Sequence, residues 1–142
     1  MNILVGVTSR PESRHALERA IEEAELRGAR LTIVRTLTEG LGENRAALQS
    51  WTKELVATEE DGRLLVQDLQ ERGIDAQFRL EQVSNDPARL LLDVAEEIDA
   101  DLIVIGIRRR SPVGKLVLGS ASQGVLLSAE CPVLAVKVPD DA

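Results

Sequence analysis

Aromatic side chains are almost missing from this chain of 142 residues, which has Trp51, Phe78 and no tyrosine. A groove for single-stranded nucleic acid would have no platforms on which to stack successive bases. Basic residues are in the minority as well, 17 against 24 acidic ones, for a net charge of −7. That balance argues against nucleic acid and against an anionic membrane surface as partners, since both need a cationic face. Nowhere do 18 apolar residues follow one another, so no segment reads as a membrane-spanning helix. Met1-Asn2-Ile3-Leu4-Val5 enters a strand directly, without a basic region or a secretory cleavage pattern. A single cysteine, Cys131, leaves no internal disulfide to form, and a reducing cytoplasm is the expected compartment.

Catalytic parts are equally scarce. His15 is the one histidine, set between charged and apolar positions of a helix, and a solvated surface role is expected for it. Cys131 stands just before Pro132 and an apolar strand, which suits packing better than nucleophilic attack. Neither residue has partners at a metal-ligand spacing. The pairs Glu22-Glu23, Glu59-Glu60 and Glu96-Glu97 fall on helices and read as solvated faces. After the first strand stand Thr8 and Ser9, where a response-regulator receiver would need acidic residues. The Ser-Gly-Gly loop of pyrophosphatase-type ligases is missing too. No catalytic residue is assigned.

What the chain does have is alternation. Met1 to Thr8 reads as a buried strand, and Arg10-Pro11-Glu12-Ser13 as a turn with Pro11 suited to a first helical turn. Ala16, Leu17, Ala20, Ile21 and Ala24 recur at helical spacing up to Gly28, and Leu31 to Val34 is a second strand. Thr38 to Gly42 is a loop. Leu48, Trp51, Leu55, Leu65 and Leu69 form a stripe on one long helix over 43–72, with Asp61-Gly62 as the place where it could break. Ile74 to Leu80 alternates loosely, as an edge strand does. Asp86-Pro87 is a helix start, an N-cap followed by proline at the first helical position. Leu90, Leu91, Val94, Ala95 and Ile98 carry that helix towards a strand at Leu102 to Ile105. A last helix spans about Ser120 to Ala129, a last strand Val133 to Val138, and a frayed tail is expected from Pro139. Strands alternating with helices predict parallel crossovers and one three-layer α/β domain over residues 1–142.

The most informative stretch runs from Asp101 to Ser120. An apolar, β-branched run reaches Gly106; a loop bearing Arg108, Arg109, Arg110 and Lys115 follows, and a helix opens at Gly119-Ser120. Strand, basic loop and helix N-terminus in that order can build an anion site, because free N–H groups and the helix dipole favour negative charge. Local basicity in an acidic chain strengthens the signal.

Gly106, two residues, Arg109, nine residues and Gly119-Ser120 resembles the nucleotide loop of the universal stress protein family. That pattern reads glycine, two residues, glycine, nine residues, glycine, then serine or threonine. Cys131-Pro132-Val133-Leu134-Ala135-Val136 resembles the family's closing strand, and Ile3-Leu4-Val5-Gly6-Val7 its opening one. The resemblance implies a five-stranded parallel sheet in order 3-2-1-4-5, Rossmann-like, with its winding switch between the first and fourth strands. Ligands of such sheets bind outside the carboxyl ends at that switch.

As site residues the resemblance implies Val7, Thr8 and Thr36 around base and ribose, and Gly106, Arg108, Arg109, Gly119, Ser120 and Ser122 around phosphates. The expected ligand is ATP or AMP, with Mg2+ accompanying ATP. Two positions depart from the family pattern. Thr8 replaces an aspartate that meets the nucleoside, and Arg109 replaces the second glycine. The resemblance also implies a homodimer through Val133 to Val138. Two functional readings follow: an adenine-nucleotide-binding stress-response module, or a nucleotide-independent homodimeric scaffold of the same family.

Overall fold

The computed structural model describes residues 1–38, 45–83, 86–108 and 118–138. In chain order the elements are β1 (Asn2–Val7), α1 (Pro11–Arg27), β2 (Arg30–Thr38), α2 (Arg45–Glu71), β3 (Ala76–Val83), α3 (Pro87–Glu97), β4 (Leu102–Ile107), α4 (Ser120–Ser128) and β5 (Val133–Lys137). The five strands form one parallel sheet in order β3-β2-β1-β4-β5, as expected. Central strands buried on both faces explain the unbroken apolar runs of β1 and β4.

Alternation along each strand divides the core in two. Ile3, Val5, Leu31, Ile33 and Val104 face α1 and α2 and pack with Ala16, Ala20 and Leu69. Leu4, Val34, Ile103 and Ile105 face α3 and α4 and pack with Leu91, Val94 and Val125. Each fully buried aliphatic side chain contributes about 1.5–3 kcal/mol to that core. The alanines of α1 let it lie close to the sheet, and Gly28 closes the helix at φ 60°, in the left-handed region. Asp86 caps α3, its carboxylate accepting from the Arg89 N–H at 3.0 Å.

Several boundaries differ from the expectation. The long helix does not break at Asp61-Gly62 but runs from Arg45 through Glu71. Gly62 is there because a Cβ would sit 2.3 Å from the Phe78 ring, so the glycine is a notch for the neighbouring strand. β2 continues past Val34 to Thr38, because its ladder to β3 extends from Leu31–Ala76 to Thr38–Val83. Backbone pairing holds Arg35 to Thr38 in the sheet, where Leu37 is the one apolar residue and is buried. β4 likewise includes Gly106 and Ile107. The side chains of Leu48 and Trp51, and the tail from Pro139, lie outside those described. No described helix is long and apolar enough to cross a membrane.

Candidate functional site

At the carboxyl ends of β1, β2 and β4, where the winding reverses, the structure holds a cavity of about 530 Å³. That volume lies within the usual range for small-molecule sites. Val7, Thr8, Thr36, Gly106, Arg108, Gly119, Ser120 and Ser122 all line it, so eight expected site residues from four parts of the chain converge. Arg109, the ninth, lies outside the described residues, as do Arg110 and Lys115.

One wall is the start of α4. Gly119 is its N-cap, with no side chain to cap the helix and no acidic residue in the first turn. The first N–H groups of a helix lack carbonyl partners within it and carry the positive end of its dipole. Ser120 and Ser122 add hydroxyls beside them. This end of the cavity can take an anion.

The β1 exit is tied into a small network. Ser13 Oγ accepts from the Thr8 N–H at 2.9 Å and shares a hydrogen bond of 3.0 Å with Thr8 Oγ1. Thr8 Oγ1 in turn accepts from the Arg10 N–H at 3.1 Å. Whichever hydroxyl donates between Thr8 and Ser13, the pair keeps one hydrogen to offer a ligand and has no charged acceptor to offer.

Gly106 lines the cavity and also has a packing duty. A Cβ there would lie 2.3 Å from the carbonyl oxygen of Glu12 and 2.7 Å from its carbonyl carbon. Its missing side chain admits the first turn of α1 against β4. At the β2 end, Arg35 is largely enclosed and donates to the Thr36 carbonyl, leaving that oxygen one lone pair for other donors. Burial pushes the Arg35 pKa down, and Glu54, 4.0 Å away, partly opposes the shift.

Arg10, Glu12, Ser13, Arg35 and Glu54 line the cavity without having been singled out as site residues. Ser13 and Glu12 carried a usable signal, since they open the helix that follows the β1 exit. Arg35 carried none, because a charged residue after an apolar run reads as a strand end. Among the described residues no group of three His, Cys, Asp or Glu side chains is placed to hold a metal.

The universal stress protein family model matches residues 1–137. A universal stress protein of Mycolicibacterium smegmatis is 37% identical over 135 residues, spanning 95% of this chain and 96% of its own. Among solved structures, a universal stress protein from Archaeoglobus fulgidus superposes with a TM-score of 0.72 at 33% identity, over 96% of this chain and 98% of the other. A structure of the universal stress protein from Archaeoglobus fulgidus in complex with dAMP superposes with a TM-score of 0.67 at 28% identity, over the same shares. With the sheet order, the crevice at its switch point and a match over nearly its whole length, this chain belongs to the universal stress protein family of stress-response proteins.

Proposed function

We propose that the chain is a regulatory stress-response module that binds an adenine mononucleotide in the cavity at the β1–β4 switch. The observation that carries this reading is the meeting of Thr8, Thr36, Gly106 and the uncapped start of α4 around one volume of suitable size. The related Archaeoglobus fulgidus protein described in complex with dAMP supports it. Phosphate belongs at Gly119, Ser120 and Ser122, where N–H groups, hydroxyls and the helix dipole all favour it. Arg108, from the cavity wall, and Arg109 add cationic side chains that can fork onto phosphate oxygens. Base and ribose extend from there past Val7 and Thr8 to Thr36. AMP is the simplest occupant, and ATP with Mg2+ is the longer one.

A nucleotide-independent scaffold is the second reading. The observation in its favour is that Thr8, standing in place of the family's aspartate, has its hydroxyl already engaged by Ser13 and Arg10. Both readings include a homodimer through β5, which pairs with β4 on one side and is the last strand of the sheet on the other. The cytoplasm remains the proposed compartment.

Titration calorimetry with AMP, and with ATP with and without Mg2+, tests the nucleotide reading. Saturable heat at micromolar to millimolar nucleotide is the expected result. No heat from a protein that is folded by circular dichroism and dimeric by light scattering leaves the scaffold reading in its place.

A further inference from the structure

Glu12 is an unusual residue for the wall of a cavity that can take an anion. It is 8% exposed, and its Oε2 is enclosed without a hydrogen-bond partner. Among the described residues no hydrogen bond or ion pair reaches it, although Arg10, Arg35 and Arg108 line the same cavity. Its place in the first turn of α1 favours a negative charge, but the dipole supplies no donor to the enclosed oxygen. Buried polar atoms are nearly always paired, so an orphan of this kind marks a place where a donor is still to arrive.

We propose that Glu12, rather than the residue at position 8, is the carboxylate of this site, and that it accepts a hydrogen bond from a ribose hydroxyl of the bound nucleotide. The assignment rests on the nucleotide reading above and specifies which residue recognises the sugar. Thr8 suits the part less, because its oxygen already accepts from the Arg10 N–H and shares a hydrogen bond with Ser13, and a hydroxyl is a weaker acceptor than a carboxylate. The enclosed oxygen lacks a donor, and an ionised phosphate has none to give, so the ligand partner is sought among the nucleotide's N–H and O–H groups. An adenine nucleotide has two kinds of donor, the base amine and the sugar hydroxyls. The base end lies at Thr36 on β2, whereas Glu12 abuts Gly106 on β4, two strands further on. Two strand spacings amount to about 10 Å. Glu12 therefore stands away from the base end, beside the strand that leads to the α4 start, where the proposed pose puts the sugar.

Calorimetry with AMP, 2′-deoxy-AMP and 3′-deoxy-AMP on wild type, Glu12→Ala and Glu12→Gln tests the assignment. A hydrogen bond to a charged group corresponds to a preference of about tenfold or more. The wild type should bind AMP about tenfold more tightly than at least one deoxy analogue. In Glu12→Ala the AMP affinity should fall to the level of that analogue, whose own affinity stays unchanged. Glu12→Gln keeps the side-chain volume, and there the preference should shrink with the fold intact. An unchanged preference in both variants, or an equal loss for all three nucleotides, overturns the role of Glu12 and leaves the nucleotide reading standing. No heat from any nucleotide in the wild type overturns the nucleotide reading, and this assignment with it.

Discussion

Gly106→Ala tests the junction on which both fold and site depend. The added Cβ would lie 2.3 Å from the Glu12 carbonyl oxygen, 2.7 Å from its carbonyl carbon and 3.1 Å from its Cβ. Two of these neighbours are backbone, so relief requires the first turn of α1 to move by roughly 1 Å to reach ordinary van der Waals separation. Alanine restricts the unfolded chain more than glycine does, which favours the variant by about 0.4–1 kcal/mol. Overpacking costs about 1–3 kcal/mol, and a backbone obstacle belongs at the upper end. A net loss of about 1–2.5 kcal/mol follows. Unfolding entropy near 2.1 cal/mol/K per residue gives about 0.3 kcal/mol/K for 142 residues, so Tm should drop by about 3–8 °C. Gly6→Ala is the internal comparison. Its Cβ would meet only the flexible end of Leu91, at 3.1 and 3.2 Å, and should cost less. Thermal melts followed by circular dichroism measure both. A Gly106→Ala protein melting within 1 °C of wild type, or above Gly6→Ala, would refute the close approach of α1 to β4.

Gly62→Ala should destabilise the protein although it removes a glycine from a helix, where alanine is ordinarily favoured by about 1 kcal/mol. In a Phe78→Ala background the same change should become favourable, and a denaturant double-mutant cycle without coupling would contradict the notch. Glu23 accepts from Arg27 Nε at 2.9 Å and Arg19 Nη2 at 2.6 Å, and these cations, Arg27 foremost, hold its pKa below the usual carboxylate value. A depressed folded pKa contributes stability above the unfolded value of about 4.3, and that contribution is lost as pH falls through the folded one. The stability gap between wild type and Glu23→Gln should hold above about pH 5 and close in more acidic solution; a gap that widens with acid is the contrary result. Burial, followed by Asp101, pushes the Cys131 thiol up, its own backbone opposing. Alkylation at pH 8 should run slower than for a free thiol of ordinary pKa, and a faster reaction would contradict that environment.

Much of the fold was legible because βα alternation and apolar runs are local signals. β1 and β4 carry theirs without interruption, Asp86-Pro87 marks the start of α3, and the spacing from Gly106 to Gly119-Ser120 points to two walls of the cavity. What stayed hidden depends on residues far apart in the chain. Gly62 reads as a helix breaker until Phe78 is seen lying against it. The end of β2, with Arg35, Thr36 and Thr38 around a single buried leucine, is carried to Thr38 by its ladder with β3. That Gly106 also admits the first turn of α1 against β4 depends on Glu12, far away in the chain. Glu12 falls in the turn that opens α1, but its enclosure comes only from the packing of that turn against β4.

Whether an adenine nucleotide occupies the switch-point cavity is tested most directly by amide chemical-shift mapping of the labelled protein titrated with AMP. The account predicts saturable shifts at Thr8, Thr36, Gly106, Ser120 and Ser122, with Gly28 and Gly73 at the opposite end of the sheet unmoved. Shifts clustered at Gly28 and Gly73, or none at all at millimolar AMP, would contradict it.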